Sequence, residues 1–323
     1  MLNRRSFLTR VAAAPVLASA TAHAATASFP DFLADVAAEA RRSGIADETV
    51  RRAFAMIRPN DKVLELDRRQ PEFTLTWEQY RDGRLSQTRI QRGQQVFAEN
   101  QALLDAVWRR YQVSPRIVVA IWGLETNYGG FTGNFNVVEA LATLAWDGRR
   151  HEFFRKELLA ALRILQDGDV TPEQMRGSYA GAMGNPQFMP SSFERLAVDF
   201  DGDGRRDIWS STADSVASIA NYLARSGWRD DERWGREVRL PPNFDPALAG
   251  RGTRRPLRDW LRMGVTAADG TALPPLEMET SILLPGSGGG QAFAVYKNFH
   301  VIRRYNPSDY YALVIGLLSD RVA

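Results

Sequence analysis

The chain of 323 residues contains no cysteine. That absence excludes a disulfide framework, a thiolate nucleophile, a thiolate metal site and a lipid-modified cysteine. Histidine is almost as scarce: only His23, His151 and His300 occur. They are too far apart to supply the two-histidine helical face of a zinc hydrolase, and His151 and His300 read as surface or packing residues. There is no internal repeat. A phosphate-binding loop is also missing, because the glycine run Gly286-Ser-Gly-Gly-Gly290 lacks the spacing and the lysine of one, and it reads as a flexible turn.

Charge of one sign is lacking as well. Lysine and arginine number 41 against 38 aspartates and glutamates. The surplus belongs to the first 24 residues, which hold Arg4, Arg5 and Arg10 and no acid. Those residues have the three parts of an export peptide: Asn3-Arg-Arg-Ser-Phe-Leu-Thr-Arg10, the apolar run Val11 to Ala20, and the small-x-small site Ala22-His-Ala24. Paired arginines before Ser-Phe-Leu match the twin-arginine type, with an ordinary secretory signal as the alternative. The apolar run is too short for a membrane anchor and contains Pro15. Without this segment the chain is formally neutral, which gives no support for nucleic-acid binding. A soluble, periplasmic protein is expected.

What remains has the composition of an ordinary globular protein, 44% hydrophobic and 24% charged. The period predicts helices over Asp31 to Arg42, Asp47 to Ile57 and one long segment from Ser86 to Tyr111. Pro71 to Asp82 breaks the pattern and reads as an irregular excursion. Further helices are expected over Val137 to Ala145 and from Ser191, each opened by a capping box (Asn136 with Glu139, Ser191 with Glu194), and over Glu152 to Gln166 and Thr212 to Arg225. Beyond Trp228 prolines punctuate short apolar alternations such as Thr280 to Leu284 and Ala292 to Tyr296, which read as strands around one helix near Leu257 to Met263. A last helix is expected over Asp309 to Arg321.

Within this pattern one acid is out of place. Ser114 and Pro115 read as N-cap and first residue of a helix stopped by Gly129 and Gly130, and Val118, Ile121, Trp122 and Glu125 fall on one face of it. Burial and the negative end of the helix dipole both disfavour a carboxylate, so a protonated acid, able to serve a leaving group, is expected at Glu125. A half-exposed, merely solvated Glu125 is the alternative. Gly177 to Ser192 is dense in glycine yet rich in large apolar residues, and its small residues permit close approach of a ligand, with Ser178 and Gln187 as hydrogen-bonding groups. Tight helix packing through Gly181 and Gly184 explains the same glycines.

Five segments in order then resemble the B-type lytic murein transglycosylases, glycoside hydrolases related in fold to goose-type lysozyme. They are Trp122-Gly-Leu-Glu-Thr-Asn-Tyr-Gly129, Gly177 to Ser192, Asp199-Phe-Asp-Gly-Asp-Gly204, Ala220-Asn-Tyr222 with Gly227-Trp228, and Lys297 to Asn306. The resemblance runs from about Phe29 to the C-terminus. It implies a mainly α (α+β) fold, with a lysozyme-like catalytic core at 114–228, an N-terminal helical region at 25–113, a small strand-containing subdomain at 229–296 and a C-terminal helical segment at 297–323 closing the cleft. It further implies that Glu125 alone acts as acid and then base on the bond between N-acetylmuramic acid and N-acetylglucosamine, leaving a 1,6-anhydro end. Sugar-contacting roles carry over to Ser178, Gln187, Tyr80, Tyr222 and Tyr305. Trp122, Tyr128, Phe188 and Met189 are expected as an apolar, water-excluding lining. The implied partners are peptidoglycan glycan strands, with cell-wall synthesis proteins as a second class and neither nucleic acid nor a membrane anchor. A water-using muramidase and a non-catalytic wall-binding protein remain as alternatives.

Asp199, Asp201 and Asp203 occupy positions 1, 3 and 5 of an EF-hand pattern, with Gly204 at 6, Arg205 at the backbone-ligand position 7 and Asp207 at 9. Position 12 is Ser210 in place of glutamate. The resemblance implies a longer loop closed by Asp214, and a structural calcium ion held by Asp199, Asp201, Asp203, the Arg205 carbonyl and Asp214. Solvated aspartates capping two helices are the alternative.

Overall fold

The computed structural model describes residues 28–69, 75–286 and 290–323. The export segment, the start of the Pro71 to Asp82 stretch and the middle of the glycine run at 286–290 lie outside the described residues. The chain opens with helices α1 (Phe29–Arg42), α2 (Asp47–Phe54), α3 (Asp61–Arg68), α4 (Trp77–Arg84), α5 (Gln87–Glu99), α6 (Gln101–Tyr111) and α7 (Pro115–Thr126). A two-residue strand β1 (Phe135–Asn136) leads into α8 (Val137–Asp147) and α9 (His151–Asp167), and β2 (Arg176–Gly177) precedes α10 (Pro190–Leu196) and α11 (Thr212–Arg225). Then come β3 (Gly235–Arg239), β4 (Arg255–Pro256), α12 (Leu257–Arg262), β5 (Thr266–Ala267), β6 (Glu279–Leu283) and β7 (Ala292–Val295), followed by α13 (Lys297–Tyr305) and α14 (Asp309–Ser319).

Two of these helices are apolar all round, and such a helix belongs in an interior. In α7 every residue from Ile117 to Gly123 is buried, and in α14 every residue from Tyr311 to Ser319. The two pack on each other and form the centre of the largest core, with α5, α6, α11 and α13 around them. A second core joins α8 and α9 to α1, α2 and α3. The third lies in the antiparallel sheet, whose strand order is β4-β6-β7-β3-β5. Its central strand β7 is buried on both faces: Phe293 and Val295 face the α7–α14 core, while Ala292 and Ala294 face Trp260 of α12. A doubly covered strand reads as a continuous apolar run, which is how Ala292-Phe-Ala-Val-Tyr296 appears in the sequence.

Several expectations change. Trp77 to Arg84 is helical, because Thr76 and Gln79 form a reciprocal capping box and Trp77 is buried between Phe293 and Tyr310. The long segment from Ser86 is two helices, broken at Asn100, whose side-chain amide bonds the Val96 carbonyl. Asn136 does cap α8, but Glu139 turns away to bond Asn60 at 2.7 Å. Neither half of the Ser191 box forms: Ser191 bonds Glu157, Glu194 pairs with Arg163, and α10 begins at Pro190. Helix α7 ends at Thr126, earlier than its glycines, since Asn127 already adopts φ 53°, a left-handed conformation that asparagine tolerates.

Candidate active site

Glu125 sits in the last turn of α7 and is half-buried. Three left-handed residues follow, Asn127, Tyr128 and Gly129, and they fold the chain sharply back. Tyr128 therefore returns under its own helix, with its hydroxyl donating to the Arg89 carbonyl at 3.0 Å. A Cβ on Gly123 would lie 2.4 Å from the Tyr128 ring and one on Gly93 would lie 2.3 Å from its hydroxyl, so both glycines make room for it. Burial pushes the Tyr128 phenol up to about 12. Trp122 is likewise buried, with its indole N–H donating to Asn185 Oδ1 at 3.0 Å. Trp122 and Tyr128 thus support α7 from behind, where a groove lining had been expected. Phe188 is also buried.

One partner of Glu125 is a residue that the sequence reading missed. Tyr311, on α14, donates its hydroxyl to Glu125 Oε1 at 2.6 Å. Burial, then the negative charge of Glu125, hold the Tyr311 phenol well above its ordinary value, so it stays a neutral donor. Tyr305 is raised by the same two causes in the same order. Among the described residues, Glu125 is the carboxylate whose charge reaches both hydroxyls. A buried tyrosine in an otherwise apolar helix needs a partner for its hydroxyl, and that need was the available signal for Tyr311.

Around this pair the structure gathers most of the expected sugar-contacting residues. The Tyr305 and Tyr222 rings are 4.6 Å apart, and Phe188 packs on both, at 5.8 and 5.7 Å. The Tyr305 hydroxyl donates to the Pro186 carbonyl, and that of Tyr222 to the Arg304 carbonyl. Tyr80 adds to the field at Tyr311, packs its ring at a tilt 5.7 Å from that of Tyr310 and lines a cavity of about 590 Å³ with Arg251, Arg303 and Asp309. Gln187, held at φ 52°, has its amide nitrogen committed to the Thr132 and Gly184 carbonyls, each at 2.9 Å. A ligand can therefore use only the acceptor end of Gln187. Ser178 lies at the bend of the 177–188 hairpin, where its Oγ accepts from the Ala182 N–H at 3.0 Å.

The acidic loop meets this site at Asn185. Asn185 donates to the Ile208 and Trp209 carbonyls and holds Trp122 of α7 through its oxygen. Of the five predicted ligand residues, Asp199, Asp201 and Asp203 converge, with one carboxylate oxygen of each within 4.8 Å of the others. Asp214 is not in that group. Asp214 is buried in the first turn of α11, and its two oxygens accept from the Phe200 and Asp207 backbone N–H groups, both at 2.7 Å. It clamps the two ends of the loop. The Arg205 side chain pairs with Asp203 at 3.0 Å and depresses the Asp203 carboxyl through that hydrogen bond.

The chain is similar to three known proteins. The membrane-bound lytic murein transglycosylase B of Escherichia coli K12 is 35% identical over 253 residues, 76% of this chain and 67% of that protein. SltB3 from Pseudomonas aeruginosa, solved in complex with NAG-anhNAM-pentapeptide, superposes with a TM-score of 0.89 at 48% identity, covering 91% of this chain and 79% of that one. The E. coli lytic transglycosylase Slt35, solved in complex with calcium, gives a TM-score of 0.76 at 30% identity, covering 91% and 92%. The sequence profile of the transglycosylase SLT domain matches residues 28–320, and the chain belongs to that family.

Proposed function

We infer that the chain is a peptidoglycan lytic transglycosylase, cutting the β-1,4 bond between N-acetylmuramic acid and N-acetylglucosamine with Glu125 as acid and then base. The observation that carries this reading is the Tyr311–Glu125 pair: a half-buried carboxyl group fixed at one oxygen by a neutral donor. Protonated Glu125 gives its proton to the glycosidic oxygen, the bond to the anomeric carbon breaks, and the N-acetylglucosamine side departs with that proton. The neighbouring 2-acetamido group supports the cationic centre, so no second protein carboxylate is required. During this interval Glu125 is charged, and a hydrogen bond donated to a carboxylate favours that form. Glu125 then takes the proton of the muramyl 6-hydroxyl as its oxygen attacks the anomeric carbon. The acid ends protonated, ready for a second cycle, and no water is consumed.

Hydroxyl groups of Tyr80, Tyr222, Tyr305 and Ser178 and the acceptor end of Gln187 are assigned to the sugars. Calcium is assigned to the convergent oxygens of Asp199, Asp201 and Asp203, a hard oxygen set suited to that ion, with Asp214 fixing the loop ends. There it is a structural brace: the loop supports Asn185, and Asn185 supports α7. The export reading of residues 1–24 places the enzyme in the periplasm with its substrate, and no helix of the described residues is long and apolar enough to cross a membrane. Mass analysis of fragments released from purified sacculi tests the function. Anhydro ends, lighter by one water than hydrolysed ends, are expected; hydrolysed ends would make it a muramidase, and no release a binding protein.

A further inference from the structure

Helix α13 also borders a cavity that the reaction does not use. Helix α13 has two working faces. Tyr305 donates its hydroxyl to the Pro186 carbonyl within the field of Glu125, whereas Lys297, His300, Val301 and Arg304, spaced three and four apart, line a cavity of about 500 Å³. Arg225, Arg254 and Glu279 complete its charged rim, and Ser226 and Ser281 add hydroxyl groups. Four cations thus face one acid, in a chain whose charges otherwise nearly cancel. Among the described residues Arg225, Lys297 and Arg304 form no ion pair, and Arg254 reaches Glu279 only at 3.9 Å. The half-buried His300 registers the resulting field: burial, then Arg254, Arg303 and Arg251, hold its pKa below the ordinary value, with Asp309 opposing. Like charges gathered in one concavity repel unless an anion joins them.

We propose that this cavity receives the carboxylates of the peptide carried by the glycan strand, a subsite for the substrate's stem rather than for its sugars. The proposal rests on the peptidoglycan reading above. Position supports it, because Arg304 is the immediate neighbour of Tyr305, and its carbonyl accepts the Tyr222 hydroxyl. Reach supports it too. An extended pentapeptide spans roughly 16 Å, and a helix with its side chains is about 10–12 Å across. A stem leaving a sugar in the cleft can therefore pass α13. A concave site walled by serines suits a peptide terminus better than a flat lipid surface.

The test uses the Arg254→Glu/Lys297→Glu double variant, two exposed positions outside the catalytic site, alongside the unaltered chain. NMR of the His300 ring, assigned with His300→Gln, is followed on adding NAG-NAM-pentapeptide, the NAG-NAM disaccharide, inorganic phosphate or phosphatidylglycerol vesicles. The pentapeptide compound is expected to shift the ring and raise its pKa in the unaltered chain only, with the bare disaccharide silent. In kinetics, KM for peptide-bearing glycans is expected to rise about tenfold in the double variant, equivalent to about 1.4 kcal/mol, with KM for peptide-free glycans unchanged. An equal response to phosphate, capture of vesicles in place of the pentapeptide, or a KM that rises alike for both glycans would overturn the proposal. If the unaltered chain cuts neither glycan, the function reading fails instead, and the NMR arm still decides on the stem subsite.

Discussion

Replacing Asn185 with alanine tests whether the acidic loop holds the catalytic helix. Asn185 is 6% exposed and makes three side-chain hydrogen bonds: from Trp122 Nε1 at 3.0 Å, to the Ile208 carbonyl at 3.3 Å and to the Trp209 carbonyl at 3.2 Å. Each neutral hydrogen bond contributes about 1 kcal/mol net, and leaving a buried indole donor without a partner adds about 1–2 kcal/mol. A loss of about 4–5 kcal/mol follows, which for a chain of this size, with an unfolding entropy of about 2.1 cal/mol/K per residue, lowers Tm by roughly 6–8 °C. Asn185→Asp sharpens the test. It keeps an acceptor for Trp122 but turns a carboxylate oxygen toward two carbonyl oxygens, so it should cost at least as much as alanine. Differential scanning calorimetry measures both variants, and turnover of sacculi at a temperature where each remains folded measures the consequence for Glu125. A Tm change under about 2 °C for alanine, or an aspartate variant as stable as the unaltered chain, would refute the coupling.

Tyr311→Phe removes the 2.6 Å bond to Glu125 with little change of shape. A hydrogen bond to a charged group contributes about 1.5–3 kcal/mol, so kcat is expected to fall roughly 10- to 100-fold, with KM nearly constant in steady-state assays; unchanged kcat would remove Tyr311 from the mechanism. Chelation should lower Tm, since a ligand bound only to the folded state stabilises it, and Asp201→Asn/Asp203→Asn should abolish that response; an equal response in the variant would place the ion elsewhere. His300 has a folded pKa below its unfolded one, so the stability it contributes is present above the unfolded value, about 6.5, and is lost as pH falls through the folded value. His300→Asn should therefore flatten the decline of Tm between about pH 7 and pH 5; superimposable profiles would count against this.

How far the sequence reveals this molecule depends on the range of the interactions involved. Glu125 is legible because the anomaly is local, an acid in the last turn of an apolar helix. The short apolar runs of β6 and β7 and the glycine stop at Gly227 are local in the same way. Tyr311 is not legible, because its meaning arises only where α14 crosses α7, 186 residues away in sequence. Helix α4 carried a usable signal in its Thr76–Gln79 box, overridden by the polar composition of residues 77–84; what secures it is Trp77, packed against a strand far along the chain. Glu139 and Glu194 show the converse error. Each has the spacing of a capping box, but Asn60 and Arg163 are stronger competitors for the carboxylate than the backbone N–H. Asp214 is visible as an acid near the loop, but its two backbone bonds are a property of the folded loop alone.

The most direct test of the whole account is the product mass spectrum of Glu125→Gln acting on purified sacculi. Glutamine keeps the shape and can still accept from Tyr311, but it has no acidic proton to deliver. The account predicts no anhydro fragments above the no-enzyme background, with Tm close to that of the unaltered chain and glycan binding retained. Anhydro fragments released at the rate of the unaltered chain would contradict it.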